Sequence, residues 1–174
     1  MAGGAGVGST PGGPMSDSLP LPEDQLCFAL HAASRAMNAV YRPLLAELGV
    51  TYPQYLVLLD LWTRGPRSVK ELGEDLYLDS GTLSPLLKRL ETAGLVRRSR
   101  SEADERVVIV CLTEEGRRLR ERGRRVSHDL LCAVGLPVEK VVALRDEIRD
   151  LTDHLLAAAG DLHRTGDPGA EPVG

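Results

Sequence analysis

From Leu26 onward, apolar residues recur at positions 26, 30, 33, 37, 41, 44 and 48, steps of three and four that predict a long amphipathic helix. Pro43 removes a ladder bond and is expected to kink or split that helix, and Gly49 closes it as a C-cap. "TYPQYLVLLDLW" opens a second helix at Pro53, with Thr51 or Tyr52 just outside. In "SVKELGEDLYL" Ser68 and Glu71 have capping-box spacing, and Leu72 and Leu76 face inward, which predicts a helix of two or three turns. "DSGTLSPLLKRLETAGLV" follows with a stripe at Leu83, Leu86, Leu87 and Leu90, an N-cap in Asp79 or Ser80, and Gly94 as the stop. The period then changes to two: "LVRRSRSEADERVVIVCLT" alternates as a β-hairpin whose turn is 101–105. Helical spacing returns from Thr113 to about Cys132 and from Pro137 to about Leu162, the latter striped at 138, 141, 144, 148, 151, 155 and 158.

Helix, turn, helix and a charged-tip hairpin is the order of a winged helix-turn-helix. The fold class expected is mainly α, an α+β winged helix-turn-helix with six helices, a β-hairpin wing and a helical dimerisation domain. The expected organisation is a winged DNA-binding domain over 53–112, a helical dimerisation region over 21–52 and 113–164, and Gly/Pro-rich tails over 1–20 and 165–174. The first helix and the two terminal helices carry more apolar stripe than a small winged domain covers, so a second subunit is its natural sink.

Composition narrows the class without changing this order. Apolar residues are 43% and charged residues 26% of the 174, a globular balance, and with aromatics at 3% the core falls to Leu, Val and Ala. The longest apolar run, Tyr55 to Trp62, is broken by Asp60 and is too short for a membrane span. The N-terminus lacks a basic leader and an apolar segment, so a cytoplasmic location is expected, and Met15 is an alternative start. Cys27, Cys111 and Cys132 form no C-x2-C pair and the four His form no H-E-x-x-H, so neither a metal nor another cofactor is expected. A net charge of −4 argues against nucleic acid only until its distribution is read: cations gather at 88, 89, 97, 98, 100 and 106, and again between 117 and 125.

That distribution points to double-stranded DNA as a partner. On a recognition helix from Ser80 to Ala93 the face opposite the leucines offers Ser80, Gly81, Thr82, Ser84, Pro85, Lys88 and Arg89. Short residues there allow close entry to the major groove, helix N-terminal N–H groups favour phosphate, and the two cations suit phosphate or guanine. At the hairpin tip, Arg106 is placed to enter a minor groove, with Asp104 to orient it. Two such helices in a homodimer lie about 34 Å apart and select an inverted repeat. Cys111 alternates with Val107 and Ile109 and reads as a structural strand residue, and His128, His154 and His163 read as surface residues.

"TYPQYLVLL", "LYLDSGTLSPLLKRLETAGLV" and "DERVVIVCLTEEG" resemble the MarR family of winged-helix repressors, and "QLCFAL" with "YLDSGTL" resembles its organic hydroperoxide-sensing (OhrR) branch, over about Gln25 to Leu155. The resemblance implies a repressor, not an enzyme, in which Cys27 is the peroxidatic thiol, Tyr41 and Tyr52 bond its thiolate, and Cys132 is the resolving cysteine of a two-cysteine sensor. It also implies DNA contacts at the recognition-helix positions named above and at Arg106. The branch has a tyrosine where this chain has His31, whose imidazolium would lower the pKa of a thiol one turn away. Cys27 and Tyr41 lie fourteen residues apart, about 21 Å on a straight helix at 1.5 Å per residue, so a bond between them needs a partner chain or a sharp break near Pro43. With the resemblance, the expectation is an intersubunit disulfide from Cys27 to Cys132 and release from DNA. The alternatives are a MarR-type repressor released by a phenolic or carboxylate ligand, and a thiol peroxidase turning over Cys27 and Cys132.

Overall fold

The computed structural model describes residues 19–165, with side chains described through residue 159. The expected tails lie almost wholly outside these, as does the side chain of His163. Two compact units divide the chain between Ala39 and Val40.

The first unit contains a 3-10 turn, Pro22–Asp24, and the N-terminal part of α1 (Leu26–Ala46). The apolar stripe read from the sequence is here, and it is uncovered: Leu26 is 60% exposed, and Phe28 and Met37 are exposed too.

The second unit takes up α1 at Val40. The helix continues through Pro43, so the expected split does not occur and proline costs one ladder bond within an unbroken element. Gly49 ends the turn at φ +67, a left-handed geometry that glycine adopts without strain. Thr51 caps α2 (Tyr52–Arg64), donating its N–H to Gln54 Oε1 at 2.8 Å, and Pro53 is the second helical residue instead of the first. α2 is the central helix of the core, with Tyr55, Val57, Leu58 and Leu61 all nearly inaccessible.

β1 (Arg67–Ser68) comes next and has no counterpart in the expected elements, because two residues are too few to show alternation. Ser68 then caps α3 (Val69–Leu76): its Oγ accepts the Glu71 N–H at 3.1 Å while Glu71 accepts the Ser68 N–H at 2.7 Å. The reciprocal bonds are the capping box that the spacing predicts. Tyr77 turns the chain at φ 53, a left-handed conformation unusual for a side chain this large. Asp79 caps α4 (Ser80–Thr92), in which Leu83, Leu86, Leu87 and Leu90 are buried as the stripe requires.

β2 (Val96–Arg100) and β3 (Val108–Leu112) pair antiparallel with Arg98 opposite Val110, and β1 joins the far side of β3, giving the order β1-β3-β2. The hairpin connection is 101–107, two residues longer than expected, so Arg106 sits in the turn and not on a strand. The helix expected from Thr113 is divided at Leu119 into α5 (Glu114–Arg118) and α6 (Arg120–Val134). The Leu119 and Gly123 amides still bond four residues back, to Glu115 and Leu119. α7 (Val138–Thr165) is the last element among the described residues, with its apolar stripe largely exposed, including Val138, Leu144, Ile148 and Leu155. Among the described residues no helix is long and apolar enough to cross a membrane.

Candidate nucleic-acid interface and thiol site

α4 presents two unlike faces. Burial of its four leucines sets the rotation of the helix, and Ser80, Gly81, Thr82, Ser84, Pro85, Lys88 and Arg89 all lie exposed on the other side. At its N-terminus the Asp79 carboxylate accepts the Thr82 N–H at 2.9 Å and the Thr82 hydroxyl at 2.9 Å. The Thr82 amide is therefore already engaged by an internal anion and is not free for phosphate, and those bonds hold the Asp79 carboxyl below its usual range. Pro85 is accommodated with its ring outward, so the leucine stripe is unaffected.

Both helices of the helix-turn-helix are tied to neighbouring elements by ion pairs. Arg64 from α2 and Arg67 from β1 both reach the Asp75 carboxylate on α3, at 2.6 and 2.5 Å, which ties the first helix of the helix-turn-helix to the sheet. Burial pushes the Asp60 carboxyl up despite these arginines. In the second helix, Glu91 of α4 accepts from Arg98 of β2. This pair joins residues of different elements across a tight turn, and no helical or strand period marks it in the sequence.

At the wing, Asp104 accepts the Arg106 backbone N–H at 3.0 Å, and Val107 N–H bonds Asp104 O at 2.9 Å. Asp104 thus shapes the turn through the main chain, in contrast to the side-chain orientation expected for Arg106. Arg106 is exposed and, with Ser84, Arg98 and Lys70, lines a groove between α4 and the wing. Cys111 lies opposite Arg97 on the outward, half-buried face of β3, beside Ile109 as expected.

The predicted thiol residues fall in both units. Cys27 is the second residue of α1, exposed, with its thiol donating to Gln25 Oε1 at 3.2 Å; His31 is exposed one turn on. In the second unit Tyr41 and Tyr52 come together, ring centroids 4.5 Å apart, with Tyr55 behind them 6.0 Å from Tyr41. Tyr41 is only 9% exposed. Burial, then the neighbouring phenols, push the Tyr41 hydroxyl well above its usual range, and burial, then Tyr55, pushes the Tyr52 hydroxyl up, so both remain O–H donors at neutral pH. Among the described residues neither hydroxyl has a hydrogen-bond partner, whereas Tyr55 donates to Gly123 O at 3.0 Å. Cys132 is exposed on α6, unbridged, with His128 Nδ1 3.9 Å from its sulfur; His128 and His154 are exposed, as expected.

Comparison with known proteins agrees with this geometry. A family model described as transcriptional regulator SarA/Rot matches residues 39–122. The chain is 49% identical over 138 residues to the HTH-type transcriptional regulator TtmR of Methylorubrum extorquens (strain PA1), covering 79% of this chain and 71% of that one. It is 58% identical over 100 residues to the organic hydroperoxide resistance transcriptional regulator of Bacillus subtilis (strain 168), covering 58% and 68%. Reduced AbfR bound to DNA, a protein of Staphylococcus epidermidis, superposes with TM-score 0.65 at 36% identity over 77% of this chain and 94% of that one. A disulfide-formed AbfR superposes with TM-score 0.59 at 36% identity over 77% and 91%. The exposed cationic face of α4, the three-stranded sheet with its hairpin and these likenesses agree: the chain belongs to the SarA/Rot-type winged-helix transcriptional regulators, with the MarR-like fold.

Proposed function

We propose that the protein is a homodimeric, DNA-binding repressor released from an inverted-repeat operator when organic hydroperoxide oxidises Cys27. The observation that carries this reading is the Tyr41 and Tyr52 pair, two phenol donors held side by side in a largely buried place with no internal acceptor. A thiolate is the acceptor such a pair suits. The 58% identity to the Bacillus subtilis organic hydroperoxide regulator and the disulfide form of AbfR support it.

Cys27, in the first turn of α1, has its thiolate favoured by the helix dipole. The thiolate attacks the terminal oxygen of the hydroperoxide, the O–O bond breaks, and Cys27 becomes a sulfenic acid while the leaving alkoxide takes a proton to give the alcohol. Cys132 of the second subunit then displaces hydroxide from the sulfenic sulfur, forming a disulfide and water. Apolar Leu26, Phe28, Leu30 and Met37 favour an organic over an inorganic peroxide.

Cys27→Ser is the test, read by DNA binding with and without an organic hydroperoxide. Binding is expected to survive and become indifferent to oxidant. Continued release by oxidant in this variant would overturn the reading, and release by a phenol or carboxylate instead would favour the ligand-responsive alternative. On non-reducing electrophoresis the oxidised wild type is expected to run as a linked dimer, and Cys132→Ser as a monomer.

A further inference from the structure

Arg98 stands apart within the cationic cluster of α4 and the wing. Among the described residues Lys88, Arg89, Arg97, Arg100 and Arg106 form no ion pair, while Arg98 gives Glu91 Oε2 both its Nε–H at 3.0 Å and an Nη2–H at 2.6 Å. The other carboxylate oxygen of Glu91 accepts the Arg98 backbone N–H at 3.1 Å. Glu91 therefore grips both the side chain and the main chain of one β2 residue from the last turn of α4. A charge-assisted fork of this kind fixes orientation as well as distance. Strand alternation puts Arg98 on the same face as buried Val96, turned toward α4, where it lines the groove between Ser84 of the helix and Arg106 of the wing. The Glu91 carboxyl is held below its usual range, first by the Arg98 side chain and then by its backbone N–H, so the grip persists at neutral pH.

We infer that Glu91 and Arg98 are a strut that sets the spacing between the recognition helix and the wing, making both positioning residues for DNA recognition and Arg98 not a phosphate contact. This rests on the reading above that α4 and Arg106 both touch DNA. A helix in a major groove and an arginine in the next minor groove must be held in one register; the short connection Ala93 to Leu95 and the buried Val96 and Val110 anchor the root of the hairpin, and Arg98 is the residue beyond that root that α4 grips.

The two roles open to Arg98 predict opposite signs. If Arg98 were a DNA cation restrained by Glu91, Glu91→Ala would free it and raise both affinity and the salt slope. As a strut, Glu91→Ala is expected to lower affinity about threefold to tenfold with the salt slope unchanged. Arg98→Ala should show the same loss, and the double variant no more than either. The decisive measurement is a double-mutant cycle with Arg106→Ala, by fluorescence anisotropy of the full-length protein at several salt concentrations. The probe is a duplex that the protein itself selects from a random inverted-repeat pool. The cost of Arg106→Ala is expected to shrink toward nothing in the Glu91→Ala background. Glu91→Gln, which keeps an acceptor for the Arg98 N–H and the helical fold, should fall between. A gain of affinity in Glu91→Ala, or an undiminished cost of Arg106→Ala in that background, overturns the strut and leaves the DNA reading intact. No cost of Arg106→Ala in the wild type removes the wing from the DNA reading, and the strut with it.

Discussion

At the scale of single residues, the glycines that leave least room for a side chain, among those described, are on α5 and α6. A Cβ on Gly123 would collide with the edge of the Trp62 ring, and one on Gly116 would collide with the Leu95 carbonyl. Trp62 is fixed there, since its Nε1–H donates to Gly116 O at 2.8 Å. Gly123→Ala is therefore expected to lower stability by about 1–3 kcal/mol, the usual cost of overpacking, although alanine is the better helix former; thermal unfolding at fixed protein concentration checks it. Asp79 gives a second prediction. Its folded pKa lies below the unfolded one, so its contribution is complete above the unfolded value, about 3.9, and is lost as pH falls through the lower folded value. Asp79→Asn, which keeps a capping side chain, should change the melting temperature little near pH 7 and show a shallower fall than wild type below about pH 4. An equally steep fall would mean that the Asp79 carboxylate is not what holds Thr82.

At the scale of elements, α4 and the wing were legible because they obey local rules. Four leucines at helical spacing orient α4, a capping residue starts it and Gly94 stops it, and each of these is a contact between near neighbours in sequence. The exposed set from Ser80 to Arg89 followed directly from the buried set. Lys88→Ala tests it. Binding should weaken by about 1–3 kcal/mol if Lys88 reads a base, or the salt slope should fall by about one if it holds phosphate; neither effect would mean that another element is the reader. β1, the Glu91–Arg98 pair and the Arg64, Arg67 and Asp75 cluster were not legible. The two side-chain clusters join residues seven to eleven positions apart across turns, and β1 pairs with β3 residues more than forty positions on, Arg67 opposite Val110, separations to which neither the helical nor the strand period is sensitive.

At the scale of the whole molecule, the unburied stripes of α1 and α7 decide what is missing. Leu26, Phe28 and Met37 on one helix and Val138, Leu144, Ile148 and Leu155 on the other remain exposed in a single chain, while the leucines and valines of α2 and α4 are largely buried. Burying each is worth about 1.5–3 kcal/mol, which makes a dimer the expected state. Leu144→Glu with Ile148→Glu should yield a monomer in sedimentation velocity and weaken DNA binding, and an unchanged dimer would place the interface elsewhere. The sequence by itself determined which longer segments are helix or hairpin and which face of each is apolar, since these follow from contacts within a turn or a strand; the start of α2, the length of the hairpin turn and the division at Leu119 it left to the tertiary structure. It also placed Cys27, Tyr41 and Cys132 on their helices, whereas Tyr52, a candidate for the position just outside the second helix, is the first residue of α2. Only the tertiary structure decided that α1 passes Pro43 unbroken, that the Tyr41 and Tyr52 rings meet, that Asp79 occupies the Thr82 amide, and that Arg98 faces Glu91. Each of those depends on how separate elements pack, and packing joins residues that no local period relates.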